Sequence, residues 1–236
     1  MSGARDHLRG RYDQLWSEAI GRIRAGRIER DPVLQAGLPD PRRGFTVIAR
    51  PSPAVRQRLA AVLRDLRQIE QEQYYYSPSE FHVTVLSLFT ATLNPNPWLA
   101  QKSHFIAAVD AALKRVAPIR IDFKGVTASR GAVLVQGFPD NESLNGLRDL
   151  LRSQLKLHGL GEGVDQRYRL RTAHMTVVRF RSPLSDSRRF AAALEEARQK
   201  AFGMTTVRSL SLVENDWYMS HRATRILKSY RLVPAQ

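Results

Sequence analysis

Cysteine is absent from the 236 residues. That excludes disulfides, thiolate metal sites and a cysteine nucleophile. It fits a reducing compartment, and a cytoplasmic protein is expected. No apolar run is long enough to span a bilayer. The N-terminal stretch MSGARDHLRG lacks the apolar core of a signal peptide, so no membrane partner is expected. Acidic residues are scarce beside basic ones. There are 22 Asp and Glu against 37 Lys and Arg, a formal charge of +15, and such a surplus favours polyanionic partners such as nucleic acid or nucleotides. The excess is mostly Arg and is spread along the chain, without a solid basic tail. The Gly-rich stretch GLGEG, residues 159–163, lacks the Lys and Ser/Thr that follow in a phosphate-binding P-loop. It reads as a flexible connection.

What is present is a chain of alternating helical and extended patterns. Leu8, Tyr12, Leu15, Trp16, Ala19, Ile20 and Ile23 recur at helical spacing, which predicts a helix over 5–29. A Pro- and Gly-rich connector follows over 31–44. The stretch 44–50 reads as a strand. Ser52 and Pro53 open a helix over 53–73, and FHVTVLSLF is a strand. In the second half, helices are predicted over 98–116, 141–158 and 186–202. IRIDFKGVTAS and GAVLVQGF read as a hairpin, LRTAHMTVVRF as a strand, and 207–219 with 224–233 as a closing hairpin. Helices with antiparallel pairing give an α+β fold. The expected organisation is an N-terminal helical extension and connector over 1–40 and a bilobed domain over 41–236.

Histidine is scarce too, with six in the chain, yet two stand in matching frames. FHVTV covers residues 81–85 and AHMTV covers 173–177, each with His-x-Thr inside an apolar run. The two His lie 92 residues apart, at 82 and 174, which is too far for a solenoid and suits two similar lobes. In a strand, residues i and i+2 share a face. His82 and Thr84 therefore point one way, as do His174 and Thr176. Phe81, Val83 and Val85, like Ala173, Met175 and Val177, point the other way. Two such lobes meeting face to face would surround one cleft with two imidazoles and two hydroxyls. That set suits phosphoester chemistry. One imidazole takes a proton from water, the other gives one to the leaving oxygen, and the hydroxyls donate to the phosphate oxygens. Imidazoles also bind metals, but no carboxylate or cysteine stands at ligand spacing. Neither a metal nor a cofactor is expected.

HVTV and HMTV resemble the paired H-x-T-x signatures of the 2H phosphoesterase superfamily. That group includes the bacterial RNA 2′,3′-cyclic phosphodiesterases once called 2′-5′ RNA ligases. The resemblance covers residues 44–236. It implies a bilobed, pseudo-two-fold fold, with two antiparallel sheets facing a central cleft and helices on the outer faces. It implies His82, Thr84, His174 and Thr176 as the catalytic set, with His82 as acid and His174 as base by analogy; the residues themselves fit the swapped roles equally. It implies an RNA or nucleotide phosphodiester as substrate and a 2′,3′-cyclic phosphate or 2′-5′ bond as the point of hydrolysis. Family members often carry a basic residue five positions after the second His. Arg179 stands there in this chain, and Ser87 holds the matching place in the first motif. An odd offset puts Arg179 on the wrong face of a regular strand, so it reaches the cleft only through a bulge or at the strand end. It is carried forward as a phosphate ligand. Two other functions fit the same motifs. One is a non-catalytic RNA- or nucleotide-binding module. The other is a phosphodiesterase for a small molecule such as a cyclic phosphate of ADP-ribose. Residues 1–40 depart from the compact bacterial pattern and suit covering a lobe, supporting a dimer or extending an RNA surface. Tyr74 to Tyr76, Trp217 and Tyr218 could stack bases near a cleft but read rather as packing residues, and His104, His158 and His221 as surface or capping residues. No feature sets the oligomeric state.

Overall fold

The Leu8–Ile23 stripe does wind into a helix, α1 (Ser2–Arg24). The computed structural model describes residues 2–166 and 169–233. In the connector, Asp31 caps a five-residue helix, α2 (Pro32–Ala36), by accepting from Val33 N and Leu34 N. Strand β1 (Arg43–Ala49) is followed by α3 (Pro53–Ile69). Ser52 Oγ accepts from Val55 N, and Pro53 fills the first turn. A two-residue strand, β2 (Tyr74–Tyr75), precedes β3 (Val83–Thr92). Helices α4 (Asn96–Leu99) and α5 (Lys102–Leu113) lead to the hairpin of β4 (Ile119–Ser129) and β5 (Ala132–Pro139). Then come α6 (Ser143–Leu157), a 3-10 turn at Gly161–Gly163 and β6 (Met175–Arg179). Helix α7 (Ser187–Ala197) and strands β7 (Ala201–Val207), β8 (Ser209–Asn215) and β9 (Arg225–Arg231) follow.

The strands form two antiparallel sheets. One runs β3-β1-β8-β9 and the other β2-β6-β5-β4-β7. Leaving β2 aside, the orders correspond strand for strand, with β3 beside β1 and β6 beside β5, each H-x-T strand next to the strand that precedes its helix. This is the pseudo-two-fold duplication and α+β class that the two motifs imply. The final hairpin, β8 with β9, does not stay with its sequence neighbours. It returns to pair β8 with β1 in the first sheet.

Helices cover the outer faces, but they exchange lobes. Helix α3 follows β1 in sequence, yet it packs on β7 of the second sheet; α6 follows β5, yet it packs on β3 and α5. Phe105 of α5 meets Phe45 and Phe89 of the first sheet at ring separations of 5.4 and 5.7 Å. Helices α1 and α7 lie against β4 of the second sheet. One continuous apolar core therefore runs through both lobes, including Ala19 and Ile23 of α1. Each fully buried Leu or Phe in it contributes about 2–3 kcal/mol.

Three expectations need correction. The helix predicted over 186–202 ends at Ala197, and Ala201–Val207 is a strand that pairs with β4. That ladder is a non-local partner and leaves no local signature. The helix predicted over 98–116 is two helices, α4 and α5, with a break at Ala100 and Gln101. The GLGEG stretch is more than a bare connection, because its Leu160 and Gly163 are buried while Gly159 and Glu162 stay exposed. Gly163 is buried so closely on β3 that an added Cβ would stand 2.8 Å from Phe89 Cβ.

Candidate active site

Each histidine stands one residue ahead of its strand, His82 before β3 and His174 before β6. The expected parity holds. Phe81, Val83 and Val85 are buried, as are Ala173, Met175 and Val177. His82, Thr84, His174 and Thr176 are half-buried, and all four line one cavity between the sheets.

The same cavity is lined by Arg179 and by Ser87, its counterpart in the first motif. Register explains how an odd offset reaches it. Along β6, Thr176 pairs with Leu134 and Val178 with Val133, so Val177 is an extra residue. Along β3, Thr84 pairs with Ile48 and Leu86 with Val47, so Val85 is extra. Both bulges fall three residues after the His. A bulge lets two residues oppose one and resets the side-chain alternation. Val85 and Leu86 are both buried, as are Val177 and Val178, and the cleft face resumes at Ser87 and Arg179.

The two imidazoles are held differently. His82 Nδ1 lies 2.7 Å from Glu80 O. A carbonyl only accepts, so Nδ1 carries the proton and Nε2 is left for the cleft. His174 Nδ1 lies 2.7 Å from Thr172 Oγ1, a hydroxyl that can donate or accept. Burial is the main influence on both, and it pushes each imidazole down to about 4. The Arg50 and Arg179 guanidiniums push His82 the same way, and the Glu80 carbonyl opposes them. Arg148, His82 and Arg179 add their charge against His174.

Aromatic residues complete the wall. Arg179 Nε donates to Tyr76 Oη at 3.0 Å, and its guanidinium lies 5.6 Å from the Tyr218 ring. Tyr218 donates to Asp31 Oδ1 at 2.6 Å. Arg42 lies over Trp217 at 4.7 Å. Tyr76, Trp217 and Tyr218 all face the cavity, so residues that sequence reasoning assigned to packing also shape the site. Their signal was available, since aromatics stood just before one motif and inside the last hairpin. His104, His158 and His221 are exposed, away from the cavity. His158 caps α6, where its Nδ1 lies 2.8 Å from Gln154 O. Among the described residues, no group of three or more His, Asp or Glu side chains is gathered as a metal would need. No helix among them is long and apolar enough to cross a membrane.

The model of the 2′-5′ RNA ligase superfamily matches residues 44–217. The chain belongs to that superfamily. The match begins at β1 and ends inside the site, at Trp217. Solved structures agree on the fold. The crystal structure of TT0787 of Thermus thermophilus is similar with a TM-score of 0.58 at 16% identity, over 82% of this chain and 100% of that one. E. coli LigT in apo form gives 0.54 at 13% identity, over 81% and 98%. E. coli LigT complexed with 3′-AMP gives 0.51 at 14% identity, again over 81% and 98%. No curated protein matches the sequence. Residues 1–43 lie outside the superfamily match, although Asp31 and Arg42 contact the cavity wall.

Proposed function

We propose that the protein is a metal-independent phosphoesterase that hydrolyses a 2′,3′-cyclic phosphate or 2′-5′ phosphodiester of RNA or a nucleotide. The observation that carries this reading is the gathering of His82, Thr84, His174, Thr176 and Arg179 from two matching repeats around one cavity. The crystallisation of E. coli LigT with 3′-AMP supports a ribose phosphate as the ligand class.

In the proposed reaction His174 is the base and His82 the acid. Glu80 O favours the charged form of His82, whereas the nearest charges around His174 are all positive. His174 Nε2 takes a proton from water as the water oxygen bonds to phosphorus. The bond from phosphorus to a ribose oxygen breaks, and protonated His82 delivers its proton from Nε2 to that oxygen. Thr84 and Thr176 donate to the non-bridging oxygens, and Arg179 offsets their charge. A bound phosphate anion raises both imidazoles from about 4 toward the range where one can hold a proton. After turnover the pair exchanges protons with solvent and resets.

The test is turnover of 2′,3′-cyclic nucleotides and 2′-5′-linked dinucleotides, with products identified by phosphorus NMR. The expected product is a ribose monophosphate. Binding of every such compound without turnover would leave a non-catalytic nucleotide-binding module in its place.

A further inference from the structure

Helix α6 carries one charged side chain on its apolar stripe. Leu144, Leu147, Leu151 and Leu155 are buried at helical spacing, and Arg148 lies among them with no exposed surface. An interior charge without compensation costs several kcal/mol. Arg148 is compensated chiefly by backbone carbonyls. Its Nε donates to Val85 O at 2.8 Å. Its Nη2 donates to Thr84 O at 3.1 Å and Thr172 O at 2.7 Å. Its Nη1 reaches Asn145 Oδ1 at 3.2 Å. Thr84 and the bulge residue Val85 belong to the first motif, and Thr172 leads into the second. One guanidinium therefore ties the two half-sites together. Its fixed fork of donors suits three carbonyls in a way a single ammonium does not.

The second motif is also gripped from α1. Tyr12 is fully buried. Its hydroxyl accepts from Ala173 N at 3.2 Å and Gly137 N at 3.3 Å, and donates to Gly137 O at 3.1 Å. Glycine is required at 137, because an added Cβ would stand 2.0 Å from Ala173 O. Three consecutive residues are thus fixed: Thr172 by its carbonyl, Ala173 by its N–H and His174 by its Nδ1.

We infer that Arg148 and Tyr12 are positioning residues that lock the two H-x-T segments into one frame, so that both imidazoles keep their places across the phosphate. The inference rests on the acid–base reading of the cleft. It also gives the N-terminal helix, outside the superfamily match, a part in the site. The groups facing His174 are Arg148 from α6, His82 from the other motif and Arg179 from β6. Those facing His82 are Glu80, Arg50 at the end of β1, and Arg179. Arg148 is in the first set alone, so its loss should be felt by His174.

The experiment compares Tyr12→Phe, Arg148→Lys and Arg148→Met with the parent protein by three measurements. These are thermal unfolding, kinetics on 2′,3′-cyclic AMP, and NMR titration of the imidazoles in ligand-free protein. In folded Tyr12→Phe, kcat should fall about tenfold with KM changed less than about twofold, and Arg148→Lys should lose about a hundredfold, as expected for a small misplacement of catalytic groups. In Arg148→Met, His174 should titrate at higher pH while His82 stays in place. If Arg148→Met does not fold, Tyr12→Phe and Arg148→Lys carry the test. Folded variants with parent kcat and an unchanged His174 titration would overturn the inference. So would lower unfolding temperatures with full kcat per folded molecule. If the parent hydrolyses no phosphodiester, the acid–base reading fails and the titration decides alone. The deciding variant is then Tyr12→Phe, which removes hydrogen bonds but no charge: a shifted His174 titration would still support the clamp, and an unshifted one would overturn it.

Discussion

Acid should destabilise this protein through its two cleft imidazoles before most carboxylates titrate. In the unfolded chain each His has its ordinary value of 6.5, and in the folded protein burial and nearby guanidiniums push each to about 4. Above 6.5 both states are neutral and the imidazoles cost nothing. Between 6.5 and 4 the unfolded chain binds protons that the folded protein refuses, so stability falls as pH falls. At about 1.4 kcal/mol per pH unit, the loss approaches about 3 kcal/mol for each imidazole. The two losses share the repulsion between the imidazoles and do not simply add, but even one is a sizeable part of a marginal domain's stability of about 5–15 kcal/mol. The assay is urea unfolding from pH 7.5 to 4 for the parent and for His82→Asn with His174→Asn. Both should lose stability in acid, but the parent should lose more, and the gap should open below about pH 6.5. Saturating inorganic phosphate should narrow the gap, because the anion favours the charged imidazoles. Parallel stability curves for parent and double variant would refute the reasoning and show that the imidazoles are freely hydrated.

Turnover should follow a bell in pH, since fully protonated and fully deprotonated pairs are both inactive. Alanine at either His82 or His174 should remove most of it, and the double change should cost little more; additive losses in rate assays would argue for independent roles. Thr84→Val and Thr176→Val should each cost about a hundredfold in kcat, as for one lost donor to an oxyanion. Unchanged kcat would move the hydroxyls out of the reaction. Arg179→Ala should weaken inorganic phosphate binding about tenfold by calorimetry, the scale of one charge-assisted contact, and equal affinity would leave Arg179 a purely structural partner of Tyr76. Chelators should leave turnover unchanged. Abolition with recovery on adding a divalent ion would mean that the imidazoles bind metal.

The face of each H-x-T strand that meets the cleft was legible because a strand repeats every two residues, and His82, Thr84, His174 and Thr176 are placed by that rule alone. The side of Arg179 was not, because a bulge is a two-against-one count across a partner strand. Val85 and Val177 look like any other strand valines until Val47 and Val133 are set beside them. Strand β7 was hidden for a similar reason. Its ladder to β4 is made across some eighty residues, and the helical pattern before it gave no reason to stop. Arg148 did leave a sequence signal, a charge on the Leu144–Leu155 stripe of an otherwise regular amphipathic helix. Periodicity counts apolar positions and passes over the exception, although a charge on a core-facing position marks a group with buried partners.

The return of the last hairpin to the first sheet has a consequence for synthesis. As the chain leaves the ribosome, β1 and β3 emerge early, but β1 lacks its second neighbour until β8 appears at residues 209–215. The second sheet draws its strands from residues 74–207 and needs nothing later. The lobe encoded second is thus the first that can finish its sheet. During that interval β1 presents an unpaired edge, the feature that invites mispairing with other chains. Release of β8 and β9 closes it, so a chain of which residues 1–207 alone have emerged should hold one complete sheet and one exposed pair of strands.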